Sequence, residues 1–263
     1  MDILVCVKGV PDNSENEIEL NSAGSDIERD DLVYSVNEWD NYAVEEALQI
    51  VEKNGGDVTV VTVGGEDGEE ILRREMAMGA KHSALISDEA FEGSDGAGIA
   101  KLLKAFVQKN RYDLILTGVQ AEDGAAQVGG MLAAMLDYPF ASLVNSIEVL
   151  DGGKLKVSRE IEGGNKELNE IDLPCVLSIQ TGINEPRYVG MRGIRQVASI
   201  EIPTLGASEL GIAAESVGKS AAKVQRMDYF LPTVDKGAEI LNGSRDEVID
   251  KVIGLVRAKG GLK

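Results

Sequence analysis

The residues best suited to bind a ligand lie in a glycine-rich stretch, TGVQAEDGAAQVGG, at positions 117–130. An apolar run precedes the stretch and a helix-like pattern follows it, which predicts a strand-to-helix turn. Its four glycines let the backbone approach a ligand closely, and the free N–H groups at a helix start attract anions. The turn therefore predicts a site for a nucleotide or another anion, with a purely structural turn as the alternative. The sequence has neither a G-x-G-x-x-G motif after the first strand nor a P-loop lysine, so no motif distinguishes a binding turn from a structural one.

Side chains for nucleophilic or metal-assisted catalysis are scarce. The single histidine, His82, is predicted to be an ordinary surface residue, and no G-x-S-x-G turn is present. Cys6 and Cys175 lie in apolar runs and are predicted to be buried free thiols in a reducing compartment, with a disulfide as the alternative. Two cysteines and one histidine cannot supply a Cys/His zinc cage, so no metal site is predicted.

A second unusual stretch, TGINEPRYVGMRGIRQ, occupies positions 181–196. It carries three arginines and one methionine between glycines, in a chain whose formal net charge is −19. The apolar run before it, at residues 175–179, is typical of a buried strand. The stretch is therefore predicted to be a loop that projects from a rigid base.

The composition limits the class of protein. The 263 residues fit one large domain, or one domain with an extension, and 43% hydrophobic residues suffice for a sizeable core. The acidic balance argues against nucleic acid, whose phosphates attract Lys and Arg, and against an anionic membrane surface. No segment approaches the ~20 apolar residues of a membrane span, and the N-terminus lacks the features of a signal peptide. We therefore expect a cytoplasmic protein without a nucleic-acid partner.

The elements that position these stretches alternate between strands and helices as far as Pro139. Short apolar runs predict strands at residues 3–8, 57–65, 83–87 and 112–119. A helix is predicted after each strand, with Asn37 and Ser94 as two of the N-caps. Such alternation predicts parallel strands with right-handed crossovers, hence an α/β fold with a doubly wound, mostly parallel sheet.

After Pro139 the pattern changes. Three strand-like segments separated by glycine pairs predict an antiparallel meander. A buried strand at residues 175–179 follows, and no strand is predicted from residue 205 onward. A terminal helix there carries an apolar stripe, which comprises Val248, Val252, Leu255 and Val256. Residues 205–263 are therefore expected to form a C-terminal arm rather than a second domain.

Several motifs carry a resemblance that extends from end to end. They are ILVCVKGVPD, NEWDNYAVEEAL, REMAMGA, EGSD, GVQAEDGAAQVGGMLA, REIEGGNKEL and GINEPRYVGMRGIRQ. Together they resemble the β subunit of electron transfer flavoproteins, and the REIEGG and NEPRY blocks are the most specific. The NEWD form is most similar to the non-bifurcating bacterial members that serve single dehydrogenases.

The resemblance implies a heterodimer in which an α subunit holds most of a redox-active FAD. It implies that this chain binds AMP structurally in an α/β domain of residues 1–204, while the arm of residues 205–263 wraps the α subunit. The pair would accept electrons from a flavin dehydrogenase, such as an acyl-CoA dehydrogenase of fatty acid oxidation. It would pass them to a membrane quinone reductase. The chain is thus expected to be an electron carrier subunit rather than an enzyme.

By position, the resemblance also implies the cofactor-binding residues. They are Cys6, Asn37, Trp39, Asp40, Val63, Gly118, Gln120, Ala121, Asp123, Gln127, Val128 and Gly129. Adenine is expected against Cys6 and Val63, the phosphate on the N–H groups of residues 127–129, and the flavin near Trp39. The turn is one residue shorter than in most members, which leaves the assignment within residues 124–126 open.

The resemblance further implies the partner-binding residues Glu160, Arg187, Tyr188, Met191, Arg192 and Arg195. Glu160 matches a glutamate that pairs with an arginine of the α subunit. The 181–196 stretch matches the loop that docks the dehydrogenase, with Met191 as an apolar anchor and the arginines guiding an acidic patch. A loop packed against the chain's own α subunit is the alternative.

Two other functions compete with this one. The first is an electron-bifurcating homologue, with a second FAD in the AMP site and NADH as donor. The VPD and EGSD motifs favour that class, whereas Gly96 stands where those proteins usually have threonine. The second is a stand-alone adenine-nucleotide sensor of similar fold, in which the long arm has no evident use.

Overall fold

The computed structural model of the protein describes residues 1–65, 67–122, 124–232 and 237–261. Its strands are β1 Ile3–Cys6, β2 Gly9–Pro11, β3 Tyr34–Val36, β4 Val58–Val63, β5 His82–Ile86, β6 Leu114–Gly118, β7 Phe140–Leu150, β8 Lys154–Ile161, β9 Asn165–Asp172, β10 Cys175–Ile179 and β11 Thr204–Leu205. Its helices are α1 Glu38–Asn54, α2 Asp67–Met78, α3 Gly96–Val107, α4 Val128–Leu136, α5 Met191–Val197, α6 Ala207–Leu210, α7 Gly218–Ala221 and α8 Arg245–Ala258.

Nine of these strands form one sheet, in the order β11-β5-β4-β1-β6-β10-β7-β8-β9. The strands from β11 to β7 run parallel, and β7, β8 and β9 form an antiparallel meander. Every residue of the central strand β1 is buried, as expected of a parallel strand with helices on both faces. The predicted doubly wound, mostly parallel sheet with an antiparallel meander is confirmed.

The core divides between the two faces of the sheet because successive side chains of a strand point in opposite directions. Ile3 and Val5 of β1 belong to a buried cluster that includes residues of α1 and α2. Leu4 and Cys6 belong to a second cluster with residues of α3 and α4. Cys6 and Cys175 are both buried free thiols, as predicted.

The strand order reverses beside β1. From β1 the chain builds outward through β4 to β5, and then returns to the opposite side of β1 with β6. In open α/β sheets such a reversal opens a crevice outside the carboxyl ends of the two strands, and ligands bind there. In this protein the crevice lies beyond Cys6 and Gly118, which end β1 and β6.

Two short strand pairings form where the sequence predicts none. Strands β2 and β3 pair antiparallel, with Val10 opposite Ser35, inside a stretch interpreted as a polar excursion. Strand β11 pairs in parallel with β5, with Leu205 opposite Ile86, although no strand is predicted from residue 205 onward. Strands of two or three residues are too short to show a periodic pattern, so only their tertiary partners define them.

Two helix starts also differ from the prediction. Asp95, not Ser94, caps α3, because its carboxylate accepts a hydrogen bond from the N–H of Gly98 at 2.9 Å. The Ser94 hydroxyl instead accepts a bond from the N–H of Gly218 at 2.8 Å. The predicted loop at residues 181–196 is partly helical, since α5 begins at Met191.

The chain divides into two compact units. The first comprises residues 1–19 and 28–227, and the second comprises residues 20–27 and 228–263. The first unit therefore includes residues 205–227, which the sequence analysis assigns to the arm. Within the described ranges of both units, no helix is long and apolar enough to cross a membrane.

The second unit contains α8, which Ser244 caps by accepting a hydrogen bond from the N–H of Glu247. No residue of α8 is buried. The exposed apolar side chains of this unit are Phe230, Leu231, Ile240, Ile249, Val252, Leu255 and Val256. The predicted terminal helix thus forms, and three of the four residues of its predicted apolar stripe are exposed.

One acidic side chain of the first unit is fully buried without a partner. Neither carboxyl oxygen of Glu75, on α2, has a hydrogen bond to any described residue. Burial is the main cause that raises the pKa of Glu75 to about 8; Arg74 opposes the rise and Asp40 adds to it. Glu75 is therefore mostly protonated at neutral pH.

Replacing Glu75 by leucine is expected to stabilise the protein, because it removes an unpartnered polar group from the core. The folded pKa of Glu75, about 8, lies above its ordinary value of 4.5, so the wild type loses stability as the pH rises from about 4.5 through about 8. The gain in melting temperature is therefore expected to be about 3 °C or more at neutral pH and larger above pH 8. The control is Glu70→Leu, at an exposed position of the same helix. A gain that does not change with pH would contradict the assignment.

Candidate functional site

The carboxylate of Asp40 links helix α1 to the crevice. One oxygen accepts a hydrogen bond from the N–H of Lys8 at 2.9 Å, and the other accepts one from the N–H of Gly118 at 2.8 Å. Lys8 follows β1 and Gly118 ends β6, so a single side chain joins both edges of the crevice. A Cβ atom on residue 118 would lie 2.5 Å from Asp40 Oδ1 and 2.6 Å from Trp39 Cβ, which explains the glycine.

Burial raises the pKa of Asp40 to about 7, even though hydrogen bonds from Asn37, Gly118 and Lys8 favour the charged form. Desolvation therefore outweighs three favourable contacts, and the carboxyl group titrates near neutral pH. A carboxyl group shifted in this way at the edge of a crevice is typical of functional sites.

Asn37, the N-cap residue of α1, is almost completely buried beside Asp40. Its main-chain N–H donates to the carbonyl of Lys8 at 2.8 Å, and its Nδ2 donates to the carbonyl of Gln120 at 2.9 Å. Its Oδ1 is buried and has no hydrogen-bond partner in the part of the chain that the structure describes. Because buried acceptors are normally satisfied, this atom can accept a hydrogen bond from a ligand.

Two apolar side chains end the neighbouring strands. Cys6 ends β1 and Val63 ends β4, where Val63 is half-buried. Burial, and secondarily the charge of Asp40, raise the pKa of the Cys6 thiol well above its usual range. The thiol therefore stays protonated and offers an apolar contact rather than a nucleophile.

Helix α4 begins directly after the glycine-rich turn. Gln127 is its N-cap residue but makes no side-chain cap, and the first turn has no acidic residue. The N–H of Met131 donates to the carbonyl of Gln127 at 3.0 Å. The N–H groups of Val128, Gly129 and Gly130 precede this bond and so have no acceptor within the helix. This helix start therefore favours an anion.

Gly129 serves packing inside the sheet. A Cβ atom there would lie 2.5 Å from the hydroxyl of Ser178 and 2.7 Å from that of Thr117. These two buried hydroxyls are hydrogen-bonded to each other at 3.0 Å. Any side chain at position 129 would therefore disturb β6 and β10 as well as the start of α4.

The rest of the predicted turn is more exposed. Gln120 and Gln127 are exposed, Ala121 is half-buried, and Asp123 lies outside the described residues. Ala126 has a φ of 54°, in the left-handed region that residues other than glycine seldom adopt. Of the predicted turn contacts, Gln120 is joined directly to Asn37, through its main-chain carbonyl.

Trp39 points toward the end of β10. Its Nε1 donates to Oε1 of Gln180 at 3.1 Å, and the N–H of Thr181 donates to the same oxygen at 3.1 Å. The indole ring is half-buried. Trp39 is therefore held between the crevice and the stretch that follows β10.

Residues 181–200, which we call the docking segment after their predicted role, contain most of the predicted partner-binding residues. Tyr188 is 92% exposed and Met191 is 65% exposed. Arg192 and Arg195 are also exposed on α5, where Met191 and Arg195 lie one helical turn apart. Met191 thus projects from the first turn of a helix instead of from the tip of a loop.

Arg187 differs from the other two arginines because it binds within the chain. Its Nε donates to Glu45 at 2.8 Å and its Nη1 donates to Glu52 at 2.7 Å, both on α1. The hydrogen bonds that it donates to these carboxylates raise the pKa of Arg187 well above its usual range. Its predicted contact with a partner stays a prediction, but its guanidinium already has intrachain acceptors.

Glu160 lies apart from the crevice, on β8 of the meander. It is exposed, and its carboxylate accepts a hydrogen bond from Nδ2 of Asn145 at 3.3 Å. The structure therefore brings Asn37, Asp40, Gly118 and Gln120 together by direct hydrogen bonds. It does not bring Glu160 or Arg187 into that group.

Sequence reasoning missed several residues that build the site. The Thr117–Ser178 pair, Gln180 and the acceptors Glu45 and Glu52 were not predicted. Two polar residues inside the apolar runs of β6 and β10 were a usable signal for the first pair. The local sequence gives no signal for Gln180, Glu45 or Glu52, because their partners lie more than a hundred residues away in sequence.

Comparisons with known proteins agree with this architecture. The family model described as electron transfer flavoprotein domain matches residues 26–210. The electron transfer flavoprotein subunit beta of Methylophilus methylotrophus is 36% identical, over 97% of this chain and 98% of the relative. The caffeyl-CoA reductase-Etf complex subunit CarD of Acetobacterium woodii is 35% identical, over 98% of this chain and 99% of the relative. Protein FixA of Azotobacter vinelandii is 34% identical, over 92% of this chain and 88% of the relative.

The family match at residues 26–210 covers most of the chain, including α1, the glycine-rich turn, the meander and residues 181–200. The protein therefore belongs to the β-subunit family of electron transfer flavoproteins.

Proposed function

We propose that this chain pairs with an α subunit and carries electrons from a flavin dehydrogenase, such as an acyl-CoA dehydrogenase, to a membrane quinone reductase. Family membership supports an electron carrier rather than an enzyme with its own substrate. AMP binds in the crevice as a structural ligand, and the FAD is held mainly by the α subunit. The heterodimer works in the cytoplasm. The observation that carries the nucleotide part of the proposal is the buried Oδ1 of Asn37 beside the crevice, which has no hydrogen-bond partner among the described residues.

Three features of the crevice fit an adenine nucleotide. Cys6 and Val63 offer apolar contacts for a base, and Oδ1 of Asn37 offers an acceptor for an amine or a hydroxyl group. The start of α4, at residues 127–129, offers N–H groups for a phosphate without an acidic residue in its first turn.

The partner contacts form a separate part of the proposal. The exposed apolar side chains of residues 228–261 bind the α subunit, and Glu160 meets an arginine of that subunit. Trp39 lies near the flavin. Met191 and Tyr188 contact the dehydrogenase, while Arg192 and Arg195 attract an acidic patch on it.

An electron-bifurcating homologue is the second candidate, because one relative is named as part of a caffeyl-CoA reductase-Etf complex. In that case a second FAD occupies the crevice in place of AMP, and NADH is the donor. Gly96 bears on the choice. A Cβ atom there would lie 2.9 Å from Oε1 of Gln127, the end of an exposed side chain, so the packing at this position would admit a larger residue once that side chain moves. The glycine supports the form that binds AMP only in that it departs from the threonine expected of the bifurcating class.

Acid extraction of the purified heterodimer, followed by counting of flavin and AMP, tests the proposed function. One FAD and one AMP per heterodimer are expected. Two FAD and no AMP would favour the bifurcating form. A chain that purifies alone with an adenine nucleotide and no flavin would indicate a nucleotide sensor instead.

Replacing Asn37 by alanine is expected to weaken AMP binding by about threefold to tenfold, because one hydrogen bond contributes about 0.5–1.5 kcal/mol. Isothermal titration of AMP into the nucleotide-depleted heterodimer measures the effect. The matched control is Asn54→Ala at the opposite end of α1, since Nδ2 of Asn54 likewise donates to a main-chain carbonyl, that of Ile50. Equal AMP affinity in the Asn37 variant and the wild type would remove Asn37 from the site.

Replacing Met191 by alanine is expected to weaken the productive complex with the dehydrogenase by about tenfold or more, because burying a methionine contributes about 1.5–3 kcal/mol. Met191→Leu should retain most of the affinity. Arg192→Glu should instead slow association, and chiefly at low salt. Flavin reduction by the dehydrogenase at varied heterodimer concentration measures all three variants. A lower melting temperature with unchanged affinity would show that Met191 is part of the protein's own packing.

A further inference from the structure

The docking segment contains little regular structure of its own. Apart from α5, which is seven residues long, residues 181–200 form no described helix or strand. A helix this short is not stable by itself in water. Contacts with the rest of the first unit must therefore fix the orientation of Tyr188 and Met191.

The first set of contacts joins the segment to α1 through Arg187. Its Nη2 and Nε donate to the two carboxylate oxygens of Glu45 at 3.1 and 2.8 Å, and its Nη1 donates to Glu52 at 2.7 Å. The main-chain N–H of Arg187 also donates to Glu45, at 3.1 Å. Glu45 is buried, so this is a multiply bonded ion pair in a partly desolvated position, which is much stronger than an exposed pair.

Neighbouring residues extend the contact along α1. Nδ2 of Asn184 donates to the carbonyl of Tyr42 at 3.1 Å and to the carboxylate of Glu46 at 3.0 Å. Trp39 donates to Gln180 at the position where the chain leaves β10. Five residues of α1, from Trp39 to Glu52, thus hold the chain between residues 180 and 187.

A second set of contacts holds the far end of the segment on α2. Nη1 of Arg73 donates to the carbonyl of Val197 at 2.7 Å and to that of Ile200 at 3.0 Å. Arg73 is itself paired with Glu69 one turn earlier on α2. Gly193 lets α5 approach α2 closely, because a Cβ atom there would lie 3.1 Å from the carbonyl oxygen of Ala77.

The exposed residues lie between these two attachments. Tyr188, Met191 and Ile194 expose 92%, 65% and 40% of their surface, respectively. The cationic side chains of the region therefore fall into two groups. Arg187 and Arg73 bind the chain's own acceptors, whereas Arg192 and Arg195 form no ion pair with any described residue and face solvent.

We infer that Arg187 and Arg73 are positioning residues, which hold the docking segment on α1 and α2 so that Tyr188 and Met191 are presented to the dehydrogenase in one orientation. This inference rests on the proposed docking function of the segment. Arg187 acts through Glu45 and Glu52 and does not need to touch the partner.

The physical reason is preorganisation. A mobile segment must lose conformational entropy when it binds, and its apparent affinity falls in proportion to the fraction of molecules already in the competent conformation. Releasing the segment from α1 therefore raises the apparent dissociation constant for the partner. The electron-transfer step within the complex is unchanged, because the cofactor residues are not altered.

The test compares Arg187→Met and Arg187→Lys in the heterodimer, with Arg192→Met as the matched control. Lysine keeps the positive charge but cannot reproduce the forked contacts with Glu45 and Glu52. Two measurements are made: hydrogen exchange of the peptide covering residues 184–190, and the apparent KM and kcat of a flavin dehydrogenase that reduces the wild-type heterodimer. Exchange in helix α3 reports on the overall fold.

In both Arg187 variants, the backbone amide hydrogens of residues 184–190 are expected to exchange about tenfold faster than in the wild type, while exchange in α3 is unchanged. The apparent KM for the heterodimer is expected to rise about fivefold, at low and high salt alike, with kcat little changed. Arg192→Met should leave exchange unchanged, and its effect on KM should vanish at high salt. If Arg187→Met prevents assembly, Glu52→Gln takes its place, because it alters only the exposed acceptor of Arg187. The logarithms of the exchange rate and of the apparent KM should then change in the same direction by about half as much.

Wild-type behaviour of Arg187→Lys in both measurements would overturn the inference, because charge alone would then suffice. Faster exchange with unchanged KM, while Met191→Ala still raises KM, would also overturn it, because docking would not depend on the attachment. If Arg187 and Met191 variants all leave KM unchanged, the docking function itself fails, and the positioning role fails with it. Hydrogen exchange is measured without the dehydrogenase, so it shows whether Arg187 holds the segment even when the segment has no docking function.

Discussion

The two hydrogen bonds accepted by the Asp40 carboxylate are the constraint on which the site depends. Strands β1 and β6 lie side by side, and the N–H groups of Lys8, which follows β1, and Gly118, which ends β6, each need an acceptor at this edge of the sheet. Asp40 binds both groups at once. It thereby fixes the width of the crevice and the start of α1 together. Asn37, one turn earlier in the chain, is held by the same arrangement through Lys8 and Gln120.

Helix α1 consequently serves two surfaces. Its first turn carries Asn37, Trp39 and Asp40 toward the crevice, and its later turns carry Glu45 and Glu52 toward the docking segment. Helices packed on a buried parallel sheet are rigid, so one element sets the geometry of both. This explains why the helix buries three acidic residues, Asp40, Glu45 and Glu46, each of which receives hydrogen bonds from donors elsewhere in the chain.

The same contacts account for a cationic segment in a protein with a net charge of −19. One of its three arginines, Arg187, is structural, because a guanidinium group can bond several oxygens at once and so hold an irregular chain on a helix. The others remain exposed on α5, where they can attract an acidic surface. Because the rest of the protein is acidic, these exposed arginines form a local positive region that an acidic partner can recognise.

The alternation of strands and helices, the antiparallel meander, the glycine-rich turn before α4 and the family could all be predicted from the sequence, because each depends on local periodicity or on a contiguous motif. The glycine-rich pattern also pointed to Gly118, whereas Asn37 and Asp40 entered the predicted site only through the resemblance. The remaining features required the three-dimensional structure. It showed that Asp40 joins β1 to β6, that α5 is a helix, that β11 pairs with β5, and that Arg187 binds Glu45. Each of these features depends on residues far apart in the chain, whose contact follows from the order of strands in the sheet and leaves no mark on the local pattern.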